Sequence, residues 1–160
     1  PGSVAEHSLI AAQIGWYLAV LEWVDPYQVV TTLVFHDSAE SRIGDLHKVA
    51  TRYIHTKKEA EEQIIKEQTA DVPWWEQLFA LLEAYENKTT DVARVVKDAD
   101  YLEIAFQGKM YVEQWYSAAQ DRIINVGNAL KTDSAKQLWT EMQTVHSANW
   151  WRGLKKLPTE

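Results

Sequence analysis

At 160 residues the chain is one domain by length, and 46% hydrophobic residues with eight Trp supply material for a core. It has no cysteine, which excludes disulfides and thiolate metal sites and fits a cytoplasmic protein. The net charge of −7 argues against duplex nucleic acid as a partner, yet leaves a small anionic substrate open where a bound cation reverses the local field.

Ser3 and Glu6 read as a capping box opening a helix from Val4 to about Trp23. Leu9, Ala12, Gln13, Trp16, Ala19 and Val20 mark one face of it, mostly apolar. Gln13 and Glu22 interrupt the apolar run, so no membrane span is expected. Asp25 and Pro26 supply an N-cap and a first helical residue for a second helix, which ends at His36 and Asp37. The stretch from Ser41 to Tyr53 is irregular, broken at Gly44 and Asp45. Thr56 with Glu59 reads as another capping box, opening a charged helix to about Thr69. A helix over Trp74 to Tyr85 follows, then one capped by Thr90 or Asp91 that passes Phe106, with Gly108 a tolerated weak point. Two more helices are expected, from Val112 to Leu130 and from Ser134 to Trp151, before a frayed tail over 152–160. No alternating strand pattern is present. The fold class is all-α, with about six to eight helices in one domain over 1–160.

His36 and Asp37 are the first residues with chemistry in them. A neutral imidazole and a carboxylate both ligate divalent transition metals, although the dipeptide alone is more often a helix-end His beside a surface Asp. Adjacent helical residues differ by about 100° in direction, so both serve one site only near a helix end. Glu40, three residues on, is placed to exchange a proton with a bound water; a solvated acid at a helix end is the plainer reading. His7 reads equally as a surface or core histidine. Asp98 and Asp100 point about 200° apart on a helix, so at most one faces a given site, and Asp100 has the more apolar neighbours. The Trp74–Trp75 and Trp150–Trp151 pairs read as one core member and one groove or partner-facing member each.

Three strings change the weighing: Ser-Val-Ala-Glu-His-Ser, His-Asp-Ser-Ala-Glu-Ser-Arg-Ile-Gly-Asp-Leu and Lys-Asp-Ala-Asp-Tyr-Leu-Glu. In that order they resemble the HD-domain metal-dependent phosphohydrolases, and within them the small 5′-deoxynucleotidases. The resemblance runs from about Ser3 to Glu113 and implies an HD-domain helical bundle. It implies metal ligands at His7, His36, Asp37 and Asp100, a catalytic carboxylate at Glu40 and a substrate-sugar contact at Asp45. The implied cofactor is a divalent transition metal (Mn, Co, Ni, Fe or Zn). The implied substrate is a small nucleotide, a deoxynucleoside monophosphate, with a dNTP triphosphohydrolase or a non-catalytic binding module as alternatives. It also implies a homodimer and an upstream nucleotide-reading helix that is missing here. From the residues themselves, Lys48 and Arg52 are candidate phosphate contacts, four apart just after the Gly-Asp turn.

Overall fold

The structure is a computed structural model that describes residues 3–47, 49–152 and 154. The described residues form α1 (Val4–Leu21), α2 (Pro26–Phe35), α3 (Glu40–Ile43), α4 (Lys57–Thr69), α5 (Trp75–Asn87), α6 (Asp91–Glu113), α7 (Gln120–Ala129) and α8 (Asp133–Thr144), with three short 3-10 turns and no strand. The all-α expectation holds.

Side-chain caps start three of these helices where expected. The Ser3 hydroxyl accepts from the Glu6 amide while the Glu6 carboxylate reaches back, a complete capping box. Asp25 accepts from the Tyr27 amide, with Pro26 next, and Thr90 accepts from the Ala93 amide. The capping box expected at Thr56 does not form. Its backbone (φ −94°, ψ 11°) lacks the extended geometry an N-cap needs, and its hydroxyl makes no capping bond.

Long α6 is the spine, packed on α1, α2, α5, α7 and α8. Helix α1 runs antiparallel to it: His7 lies against Glu103, whereas Glu22 and Val24 share a cleft with Arg94 and Val95. The buried face of α1 is Ser8, Ala11, Ala12, Gly15, Leu18 and Ala19, which keeps Ala12 and Ala19 of the expected one; Leu9, Trp16 and Val20 are exposed. Close approach explains this. A Cβ on Gly15 would lie 2.3 Å from Leu33 Cδ1 and 2.9 Å from Val29 Cγ1, so the seam against α2 admits small residues and turns the large ones outward. By length and composition α1 is apolar enough to cross a membrane despite Gln13, and Glu22 lies just beyond its end. Its inner face is packed on α2 and α6.

The other departures lie after residue 110. Helix α6 passes through Gly108 without a break and then stops at Glu113 instead of leading into a helix at Val112. The Trp115 amide donates to the Val112 carbonyl and the Tyr116 amide to that of Tyr111. Trp115 takes left-handed φ of 71°, and the Tyr111 and Tyr116 rings meet edge to face at 6.5 Å. This is a Schellman stop with Trp where Gly is usual, so the sequence carries no glycine signal for it. Helix α8 ends at Thr144, where Val145 turns extended, rather than reaching Trp151. Trp75 is half-buried and Trp74 exposed, as expected of that pair, but Trp150 and Trp151 are both exposed.

Candidate metal and catalytic site

His7 projects from the first turns of α1, and His36 caps the C-terminus of α2. The His36 Nδ1–H donates to the Leu33 carbonyl at 2.8 Å. A carbonyl can only accept, so in a neutral ring the lone pair resides on Nε2. That Nε2 is buried without a hydrogen-bond partner. The His7 Nδ1 is bound to Glu103 Oε2 at 2.6 Å, which leaves its Nε2 facing inward too.

Both imidazoles aim at two carboxylates. His7 Nε2 lies 3.6 Å from Asp37 Oδ2 and 3.3 Å from Asp100 Oδ1. His36 Nε2 lies 3.2 Å and 3.9 Å from the same two atoms. The adjacency problem posed by His36 and Asp37 is solved because α2 ends at Phe35 and the chain turns there. Candidate ligand atoms of His7, His36 and Asp37 lie within 4.8 Å of one another, and Asp100 approaches both rings. The donor set fits a divalent cation: two imidazole lone pairs, one of them an orphaned buried nitrogen, beside two carboxylates. Without a cation the cluster holds a proton instead. Burial opposes charging His7, but the hydrogen bonds and charges of Asp100 and Glu103 outweigh it and push its pKa up to about 10.

Asp98 and Asp100 are both buried, so neither is an ordinary surface acid. Asp98 accepts from the amides of Lys131 and Thr132 and from the Thr132 hydroxyl, tying α6 to the start of α8. Asp100 faces the histidines, and its other oxygen accepts from Lys97 Nζ at 2.7 Å and the Tyr85 hydroxyl at 3.2 Å. Burial raises the Asp100 pKa, but His7 and Lys97 outweigh that and hold it below the usual carboxylate range.

Glu40 opens α3, its side chain largely covered. Burial, then the charges of Asp37 and Asp45, push its pKa up to about 7, against partial opposition from Lys57, whose Nζ lies 3.4 Å away. Asp45 follows Gly44, which takes φ of +74° at the end of α3, and is exposed. Arg52 is exposed at the end of a 3-10 turn, and Lys48 lies outside the described residues. The cation of this basic stretch recorded against Glu40 is Lys57.

Glu103, Tyr85 and Lys97 complete the site. Their one sequence signal is spacing: Lys97, Asp100 and Glu103 recur every three residues along one face of α6. A cleft of about 350 Å³ between α2 and α5, lined by Tyr27, Phe35, Trp74 and Leu78 among others, contains none of these groups.

The chain is similar to known proteins. Residues 1–144 match a family model described as an HD domain. The chain is 26% identical over 153 residues to the 5′-deoxynucleotidase HDDC2 of Bos taurus, covering 93% of this chain and 74% of that one. Among solved structures, the structural-genomics protein APC5600 is 35% identical with a TM-score of 0.76, over 95% of this chain and 83% of that one. A conserved hypothetical protein from Pyrococcus furiosus is 25% identical with a TM-score of 0.72, over 91% and 85%. The PH0347 protein from Pyrococcus horikoshii OT3, 23% identical with a TM-score of 0.72 over 90% and 84%, shares the fold. With a family model spanning most of its length and the candidate histidines and aspartates drawn together in space, the chain belongs to the HD-domain metal-dependent phosphohydrolases.

Proposed function

We propose that this protein is a 5′-deoxynucleotidase that cleaves deoxynucleoside 5′-monophosphates to nucleoside and phosphate in the cytoplasm. The observation that carries the reading is the convergence of two imidazole Nε2 atoms on Asp37 and Asp100, with Glu40 nearby at a pKa of about 7. The similarity to a 5′-deoxynucleotidase supports the substrate class.

His7, His36, Asp37 and Asp100 would hold a divalent transition metal, and mixed N/O ligation favours Mn, Co, Ni, Fe or Zn over Ca. When bound, that ion supplies Lewis acidity at the phosphate and lowers the pKa of water. Glu40, poised near neutrality, takes a proton from the attacking water and returns it to the departing 5′-oxygen as the phosphorus–oxygen bond breaks. Lys57 meets the phosphoryl oxygens with a charge-assisted donor, a role that Lys48 or Arg52 would share. Asp45 contacts the sugar. The net charge of −7 keeps duplex nucleic acid out of the reading. A homodimer is part of the proposal, supported by the apolar outer face of α1, where Leu9, Tyr17 and Leu21 are each at least 60% exposed.

The test is an assay matrix of ribo- and deoxynucleoside mono-, di- and triphosphates against a panel of divalent metals, with Asp37→Ala as the control. Phosphate release from deoxynucleoside monophosphates is expected and should vanish in the variant. Release of triphosphate would instead make it a triphosphohydrolase, and no hydrolysis under any metal would make it a binding module.

A further inference from the structure

We propose that Lys97 and Tyr85 form a clamp that positions Asp100, locking one carboxylate oxygen so that the other faces the imidazoles. The inference rests on reading His7, His36, Asp37 and Asp100 as a metal-holding set. Three contacts close a triangle: Lys97 Nζ to Asp100 Oδ2 at 2.7 Å, the Tyr85 hydroxyl to the same oxygen at 3.2 Å, and Lys97 Nζ to the Tyr85 hydroxyl at 2.9 Å. Asp100 Oδ1 is left for His7 and His36.

The division of labour between the two oxygens is the point. A carboxylate turns readily about its terminal bond, so an unrestrained Asp100 can present either oxygen, or both, to a cation. Two donors on Oδ2, one of them charged, oppose that rotation. The clamp is itself held. The Lys97 ammonium sits 5.1 Å from the Tyr85 ring centre and 4.9 Å from that of Tyr101, two cation–π contacts in a half-covered setting. Tyr85 is buried and stands edge-on to His36 at 5.8 Å, so the same residue braces two members of the set. Lys97 precedes Asp100 by three residues, which places both on one face of α6. A compact ammonium with three donors suits this slot between two rings; a flat guanidinium is no equivalent.

The experiment uses the metal-free protein as wild type, Lys97→Met, Tyr85→Phe and the double variant. Thermal unfolding in chelator checks the fold. Calorimetry with Mn²⁺ measures affinity, and the visible spectrum of added Co²⁺ reports ligand geometry. Lys97→Met is expected to weaken Mn²⁺ binding by about 10–100-fold and alter the Co²⁺ bands, as loss of a supporting hydrogen bond does at metal sites. Tyr85→Phe should give a smaller change in the same direction, and the double variant little more than Lys97→Met, because the triangle acts as a unit. If Lys97→Met fails to fold, Tyr85→Phe, which deletes a single hydroxyl, carries the test. Folded variants with wild-type affinity and an unchanged Co²⁺ spectrum overturn the clamp while leaving the metal site standing. A wild type that binds neither ion overturns both.

Discussion

Glu103 and His7, 96 residues apart, are joined by a 2.6 Å hydrogen bond from the imidazole Nδ1 to a carboxylate that is 4% exposed. The bond fixes which nitrogen of His7 faces the site, and it ties the start of α1 to the middle of α6. Replacing Glu103 with Leu should therefore lower affinity for a divalent metal by about 10–100-fold. Glu103→Gln, which keeps an acceptor, should lose less. Calorimetric titration with Mn²⁺ distinguishes them, and equal affinity in both variants would leave Glu103 with a packing role alone.

Metal uptake should release a proton. In the metal-free protein His7 titrates at about 10, so at pH 8 it is charged and must lose its proton to become a ligand. Apparent affinity should then rise about tenfold per pH unit up to pH 10. The stability contribution of His7 runs the other way. Its folded pKa lies above the ordinary histidine value of 6.5, so the contribution is complete below 6.5 and is lost as pH rises through 10. Titrations in buffers of different ionisation enthalpy count the proton.

Glu40→Gln should separate activity from stability. Activity should fall by a factor of about 10²–10⁴ through loss of the proton acceptor. Because the folded pKa of Glu40 is raised from 4.5 to about 7, its ionised form destabilises the native state above pH 7. The variant should thus unfold at higher denaturant than wild type at pH 8 in chelator, by about 1 kcal/mol after solvent screening. At pH 4, where both states carry the proton, the difference should disappear. A variant less stable than wild type at pH 8 would contradict the electrostatic picture.

Gly15→Ala should be destabilising in spite of the better helix propensity of Ala. The added methyl meets Leu33 Cδ1 at 2.3 Å, and overpacking of this kind costs about 1–3 kcal/mol. Urea unfolding gives the value. The same shift would move His7 relative to Asp37, so metal affinity should fall with it.

Residues that look alike in the sequence ended in different roles. Asp98 and Asp100 are two residues apart on α6, and the direction of each side chain assigned Asp100 to the histidines. What Asp98 does instead depends on the Lys131–Thr132 turn, 33 positions downstream. Lys57 opens the charged helix α4, and only the packing of that helix brings it to Glu40. Trp115 ends α6 through an aromatic pair, Tyr111 with Tyr116, that supports a left-handed residue without glycine. Thr56 has the letters of a cap but not the backbone geometry.

The sequence by itself determined the helical class and the caps at Ser3, Asp25 and Thr90, and it singled out His7, His36, Asp37, Glu40 and Asp100 as candidates. Those features depend on hydrogen bonds between near neighbours or on short strings of residue types, which local backbone geometry constrains. Tertiary structure alone decided which partner holds each of them: Glu103 on His7, Lys97 and Tyr85 on Asp100, Lys57 on Glu40. The pairing of Glu103 with His7 follows from how closely α1 and α6 pack, which the small residues at Ala11, Ala12 and Gly15 allow, and the others from how α5 meets α6 and α4 meets α3. A side chain's neighbours across a helix seam are set by that packing and not by its place in the chain.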